Sequence, residues 1–377
     1  RYTYDLGVKA RERVPSDKVA VVAIDDESIR KLGRWPWPRS LQAQLMDKLR
    51  EGGAKAVGNT VFYFEADPGA GAGAAEALDF LNHSALSAQI PAEIETFGLM
   101  LDDSGAKNPV AKGIADAYKD SALFKDYKNL IAELGNKLKA AADASGSPDV
   151  ALATALKAQK TVLPMIFQIG RPQGRPDAAL PDFMRKNALT NHQDRIGAKA
   201  EGYLPLPTLS VQYPTAGIGA AAAGMGHLNS TLDVDGAERN HPLVLQHFDE
   251  FYPSFALMLA ASALNLTPND IELRLGEGVA LGGLEIGTTP ALRMYTHFYA
   301  ERDGKPAFPV DSAFDVLTGT IPASNYKDKV VLIGTTAAGT GDSFTTPVSA
   351  STFPVIVLAH TVSSILQEDF FTRPSWA

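Results

Sequence analysis

Val19-Ala20-Val21-Val22-Ala23-Ile24, followed at once by Asp25-Asp26-Glu27-Ser28, decides how the rest of the chain is read. Six apolar residues, mostly β-branched and with no polar alternation, suit a strand buried on both faces, because a strand with one wet face alternates. The acidic and hydroxyl residues after it can cap a short helix, so the chain opens with a βα unit. Gly33-Arg34-Trp35-Pro36-Trp37-Pro38-Arg39 cannot be helical, since two prolines within three residues remove donors and push their predecessors to extended geometry. A helix starting at Ser40, with its hydroxyl as the cap, places Leu41, Leu45, Met46 and Leu49 on one face and stops at Gly52-Gly53. Residues 56–64 read as a second buried strand.

Working outward, the composition turns Gly/Ala-rich at 68 and then takes a helical period, with Ile114, Tyr118, Tyr127, Ile131, Leu134 and Leu138 spaced by three to four or multiples. We read 68–147 as a helical insertion bounded by Gly69-Ala70-Gly71-Ala72-Gly73 and Gly146-Ser147-Pro148. The α/β pattern resumes with a helix over 149–158 and a strand over 161–169. Residues 171–206 have no clear period and read as a long surface excursion, which is uncommon unless it has a job. Strands are expected at 226–231, 242–248 and 291–297, a hairpin over 271–286 and a helix over 254–264. The last unit repeats the opening logic: a strand over 329–333, a glycine-rich loop, and a helix over 354–366. This alternation predicts an α/β fold, a mixed and mostly buried sheet with helices on both faces plus the helical insertion. Residues 1–17 form a lead-in and 18–377 a single domain.

The 35 Lys+Arg against 43 Asp+Glu leave a net charge of −8, the wrong sign for a sequence-independent nucleic-acid binder, so no nucleic-acid partner is expected. The absence of cysteine excludes thiol nucleophiles, disulfides, iron–sulfur clusters and cysteine zinc sites, and it is compatible with an oxidising compartment without requiring one. The longest small-residue apolar run, 216–226, is about half of the ~20 residues a membrane helix needs. The chain starts at Arg1 without a Met and stops at Arg373-Pro374-Ser375-Trp376-Ala377; we expect a piece of a longer protein, with Trp376 at the membrane interface if that protein is membrane-bound.

Gly334-Thr335-Thr336-Ala337-Ala338-Gly339-Thr340 has the two-glycine spacing of a phosphate-cradling loop, but Thr340 and Gly341 stand where a P-loop has Lys and Ser or Thr, so nucleotide hydrolysis is not expected. Two readings stay open: a small anion held by backbone amides, or, favoured, glycines needed for close packing. Asp233-Val234-Asp235-Gly236 resembles a calcium loop, yet Pro242 falls at the bidentate position, and Asp-Gly favours a turn braced by Arg239. Asp25 and Asp26 look like an acid pair, though neighbours on a strand point to opposite faces and at most one meets a crevice beyond the strand ends. His83, His192, His227, His241, His247, His297 and His360 have no metal-ligand spacing and read as satisfied or surface histidines. No nucleophile elbow occurs. Trp35 and Trp37 read as a hydrophobic clamp over the first long helix, ahead of an aromatic ligand wall. No metal or cofactor is called for.

The residues 19–28 with Gly33-Arg34-Trp35-Pro36-Trp37-Pro38-Arg39 resemble the opening signature of the second type of CHASE domain, the extracytoplasmic sensory modules of bacterial cyclases and kinases. Lys329-Val330-Val331-Leu332-Ile333-Gly334-Thr335-Thr336-Ala337 with Asp342 and Thr346-Pro347 is similar to that family's closing part. Residues 233–239, Tyr252-Pro253-Ser254 and Tyr4-Asp5-Leu6 match its middle and juxtamembrane signatures, so the resemblance spans nearly the whole chain. Departures are Thr60 where the family usually has Asp, Pro354 where a Gly commonly opens the last helix, and the length of 68–147.

The resemblance implies a membrane helix, this module outside the cytoplasmic membrane, then further membrane helices and a cytoplasmic output domain. The output expected first is an adenylate or guanylate cyclase, otherwise a histidine kinase, diguanylate cyclase or Ser/Thr kinase. It implies no catalysis by this part, a homodimer because such outputs work as dimers, and an unknown small-molecule or protein stimulus. A ligand site is expected at Asp25 or Asp26, Arg39, Gly334, Thr335 and Asp342, all at or after strand carboxyl ends. The competing classes are a free periplasmic solute-binding protein and an enzyme using the Asp25/Asp26 carboxylates.

Overall fold

The computed structural model describes residues 2–67, 69, 72–84, 87, 89–106, 108–144, 148–174, 179–301, 306–341 and 343–372; Asp342, Trp376 and loop residues 70, 71, 146 and 147 lie outside them. The helices are α1 (Tyr2–Ala10), α2 (Asp26–Leu32), α3 (Arg39–Glu51), α4 (Ala72–His83), α5 (Gln89–Gly105), α6 (Pro109–Lys119), α7 (Ala122–Ala144), α8 (Pro148–Ala158), α9 (Asp182–Arg185), α10 (Ala198–Glu201), α11 (Ala216–Ala221), α12 (Phe255–Ala263), α13 (Ala313–Thr318) and α14 (Pro354–Gln367). The strands are β1 (Val19–Ile24), β2 (Ala56–Asn59), β3 (Thr161–Ile169), β4 (His192–Gln193), β5 (Leu206–Gln212), β6 (Gly224–His227), β7 (Asn240–Pro242), β8 (Val244–His247), β9 (Glu250–Pro253), β10 (Ile271–Arg274), β11 (Gly278–Leu281), β12 (Leu284–Gly287), β13 (Arg293–Thr296), β14 (Val310–Ser312), β15 (Val330–Thr335) and β16 (Phe370–Phe371). They group into two compact units, Arg1–Ala66 with Asp149–Ala377, and Asp67–Pro148.

The main sheet of the first unit runs β14-β1-β15-β2-β3-β5-β8-β9, with β6 also on β3. Strands β14, β1, β15, β2, β3 and β6 pair in parallel, and antiparallel pairs enter at β3–β5 and β8–β9, so the sheet is mixed. The β1 side chains explain its unbroken apolar run. Val19 and Val21 enter one core with α12 and α14, while Ala20, Val22 and Ile24 enter another with Leu45, Met46 and Leu49 of α3 and Leu152 and Leu156 of α8. Helices therefore cover both faces, as the apolar run requires. All nine residues of α12 are buried, since the core that holds it also takes in the β10–β12 meander through Ile271, Leu273, Val279 and Ile286.

Several elements differ from the sequence expectation for local reasons. Helix α3 begins at Arg39 behind Pro38, with no side-chain cap, so Ser40 lies inside the first turn. Strand β2 ends at Asn59, because Asn59 Oδ1 accepts from Val61 N at 3.1 Å and turns the chain out of the sheet. Tyr63 is buried beyond that turn and donates to Gln42 Oε1 at 2.6 Å. Residues 171–206 are not simply surface, since Met184, Asn187, Leu189 and Ala198 are buried. The expected strand over 242–248 divides into β7, which pairs with β13, and β8, which pairs with β5 and β9. The expected hairpin over 271–286 carries a third strand.

The second unit holds α4–α7. Within it Tyr118 donates to Ile94 O at 3.0 Å and meets Phe97 edge-on at 5.1 Å, joining α5 to α6. Phe80, Leu99, Met100 and Val110 of this unit are exposed.

Candidate functional site

The described residues nominated from sequence, Asp25, Asp26, Arg39, Gly334 and Thr335, are engaged by their neighbours. Asp25 caps α2 by accepting from Ser28 N at 2.8 Å, and it also accepts from Ser312 Oγ at 3.0 Å. Burial pushes its carboxyl up, but the bonds from Ser28 and Ser312 outweigh this and hold it below the usual range. Asp26 accepts from Ala338 N at 3.1 Å and so ties the glycine-rich loop to α2. In that loop the amides of Thr336 and Ala337 donate to Ile24 O and the amide of Thr340 to Ala337 O. Four of its amides are thus spent inside the protein and are not aimed at an anion.

Gly334 is where a side chain cannot fit: a Cβ there would lie 2.7 Å from Val355 Cβ and 2.9 Å from Thr60 Oγ1. Thr60, in the position where the family usually has Asp, donates to Ile333 O at 2.9 Å. Thr335 ends β15, paired with Ile24. Arg39 lies over the Tyr63 ring at 4.4 Å, donates to Glu65 O at 3.0 Å and pairs with Asp149 at 3.3 Å. Trp37 is buried, donates to Gly33 O and meets Trp35 edge-on, so the tryptophans pack over α3 beside Leu45 and Met46.

A cleft of about 710 Å³ opens next to the glycine-rich loop, within the size range of small-molecule sites. Its floor is Tyr299, Phe308 and His360, all buried; Thr336 stands at one side and Ser351, Phe353 and Ile356, at the start of α14, at another. The His360 ring is nearly parallel to Tyr299 at 5.7 Å and edge-on to Phe308 at 5.0 Å. Its Nδ1 accepts from Tyr299 N at 3.1 Å, so the ring proton is on Nε2. Burial, with His297 nearby, pushes the imidazole down to about 3, so it is neutral at physiological pH.

The cleft floor is wired to both ends of the described chain. Tyr299 Oη donates to Asp369 Oδ2 at 3.3 Å, and Asp369 pairs through Oδ1 with Arg13. Tyr4 of α1 donates to Thr296 O and packs against Tyr295 and Phe371. Arg239, only 7 % exposed, is the centre of this junction. Its Nε and Nη2 grip Asp5 of α1 at 2.7 and 2.9 Å, and Nη1 holds Asp233 at 3.0 Å and Asp235 at 2.8 Å. Hydrogen bonds to Asp5, then Asp235, raise its pKa above the ordinary arginine value. The expected turn is present, with Gly236 at φ 79° and its amide on Asp233 O, and Arg239 braces it. The grip on Asp5 was not legible in sequence, because 234 positions separate the pair.

The histidines correct the sequence reading. His227 and His241 are buried and neither ring nitrogen of either has a hydrogen-bond partner among the described residues; Glu238 Oε2 and Arg293 Nε are in the same position. Burial, with His241 beside it, pushes His227 well down. The site residues missed from sequence are His360, Tyr299 and Asp369. Their one trace is the polar set His360, Thr361, Ser363 and Ser364 inside an otherwise apolar helix, a pattern equally shared by ordinary helix contacts.

Among the described residues no helix is long and apolar enough to cross a membrane, and no group of three His, Cys, Asp or Glu could hold a metal ion. Comparison with curated proteins and with solved structures returned no match. The family model described as CHASE2 domain matches residues 1–377, the whole chain, and the tryptophan-proline segment, the braced Asp233 turn and the closing strand all lie within that match. The chain belongs to the CHASE2 domain family, a family of extracytoplasmic sensory domains of membrane receptors.

Proposed function

We propose that this domain senses a stimulus outside the cytoplasmic membrane and passes it to a cytoplasmic adenylate or guanylate cyclase in the same polypeptide. A histidine kinase, diguanylate cyclase or Ser/Thr kinase is the alternative output. The receptor works as a homodimer, because such outputs assemble their active sites from two chains. The single observation that supports this reading is the junction of α1 with the Asp233 turn, β13 and β16 through Arg239–Asp5, Arg13–Asp369 and Tyr4–Phe371. In the family arrangement membrane helices adjoin both ends, so a change in the 296–299 segment reaches both at once. A stimulus does this only by binding one arrangement better than the other.

The test uses the full-length gene product in membrane vesicles, with cyclic AMP and cyclic GMP formation as readout. Asp369→Asn weakens a charged bond of roughly 1.5–3 kcal/mol. If that bond is made in one signalling state only, basal output shifts about tenfold or more at unchanged membrane abundance. Recovery of the protein from the soluble periplasmic fraction with no output domain attached would establish the competing reading, a free solute-binding protein.

A further inference from the structure

We propose that the cleft between Tyr299, the start of α14 and the glycine-rich loop binds an uncharged, amphipathic small molecule, whose hydrogen-bond acceptor meets His360 Nε2–H and whose apolar body lies against Phe308 and Ile356. The proposal rests on the sensory reading above and names the class of stimulus for it.

Three observations carry it. The first is the cavity itself, about 710 Å³ and bounded by a buried aromatic floor. The second is the imidazole. His360 is 3 % exposed and lines the cleft. With Nδ1 taken by the Tyr299 amide, Nε2 is a donor, and among the described residues it has no hydrogen-bond partner. This nitrogen opens onto the cleft among apolar walls, so a ligand acceptor can take the place of a cleft water there and make one hydrogen bond. The third is charge. Glu301 is the one charged side chain among the described residues lining the cleft, and it lies at the exposed rim. Thr336 and Ser351 add hydroxyls at the cleft wall that can follow a polar ligand group. The N-terminal end of α14, through Phe353 and Ile356, faces the same space, so its dipole also favours the negative end of a carbonyl. Because Tyr299 both lines the cleft and donates to Asp369, occupancy bears directly on the junction with Arg13.

Benzophenone is the probe: two apolar rings, one carbonyl acceptor, and a triplet state that inserts into nearby C–H bonds on irradiation. Diphenylmethane has the same rings without the acceptor. Binding to the 377-residue chain is followed by titration calorimetry, and labelled peptides are mapped by mass spectrometry. We expect saturable benzophenone binding, about fivefold tighter than diphenylmethane, as one neutral hydrogen bond warrants, with label on 299–310 and 348–360. His360→Phe should abolish that preference. Ile356→Trp, on a half-buried residue at the mouth, should fill the cleft and abolish both binding and label even if His360→Phe does not fold. Equal affinity for the two probes, label elsewhere, or Ile356→Trp binding as before would overturn the proposal. None of these outcomes touches the vesicle assay, so the failure of this site and the failure of the receptor reading are separable.

Discussion

Replacing Arg239 by Met keeps the apolar stem and removes the guanidinium at the centre of the junction. Four hydrogen bonds to three carboxylates go with it: two to Asp5, one each to Asp233 and Asp235. Breaking a buried pair by removing one partner costs about 3–5 kcal/mol, because the charge left behind has lost both its partner and its water. Here the arginine is buried but the Asp5, Asp233 and Asp235 side chains are 27 %, 24 % and 44 % exposed, so solvent recovers part of that loss. We expect about 2–3 kcal/mol. In a domain of this size that lowers the melting temperature by roughly 4–6 °C, at about 2 °C per kcal/mol. Arg239→Lys should fall between, since an ammonium cannot grip Asp5 with two parallel bonds. The assay is thermal and urea unfolding followed by circular dichroism, with Asp5→Asn and the double variant completing a cycle. A coupling energy between positions 5 and 239 of about 1 kcal/mol or more is required. Arg239→Met within 0.5 kcal/mol of the parent would refute the reasoning and reduce the junction to surface contacts.

Gly334→Ala should cost about 1–3 kcal/mol, because the new methyl would overlap Val355 and Thr60. Gly217→Ala, with open space around it, should be neutral or stabilising, and equal urea midpoints for the two would show that the β15–α14 approach is looser than drawn. Acid should destabilise the fold well above the carboxylate range. Burial lowers His360 to about 3 from 6.5, and lowers His227, His247 and His297 as well. Between those two values the unfolded chain binds the extra proton, so stability is full above about pH 6.5 and falls as pH drops towards 3. For His360 alone this is about 1.4 kcal/mol per pH unit, or about 2 kcal/mol at pH 5. Urea midpoints that stay level from pH 7.5 to 5 would contradict it.

Much of the first unit was readable because local chemistry and global fold agree. The apolar run of β1 and the Asp25 cap of α2 each ask for what the tertiary structure supplies. The misreadings lie where a side chain outbids the backbone pattern. Asn59 ends β2 in the middle of an apolar run, and Pro38 takes the start of α3 from Ser40. Short edge strands such as β9 and β14 were missed, since three or four residues carry little periodic signal. The candidate ligand residues followed the rule that open α/β sheets bind beyond their strand ends. That neighbourhood does hold the cleft, yet Asp25, Asp26 and Arg39 spend their charges on Ser28, Ala338 and Asp149, whereas Thr336, next to Thr335, reaches the opening.

By itself the sequence determined the α/β class, the burial of the sheet on both faces, the turn at Gly236 and the family, because each rests on contacts within a few residues or on ordered motifs along the chain. Only the tertiary structure decided which side chains share a site. Asp5 with Arg239, Arg13 with Asp369 and Tyr299 with His360 lie 234, 356 and 61 positions apart, and no periodicity relates such distances. They meet because β1, β15 and α14 close the domain with its first and last segments side by side, and that closure is what gives a buried histidine a role at the floor of a cleft.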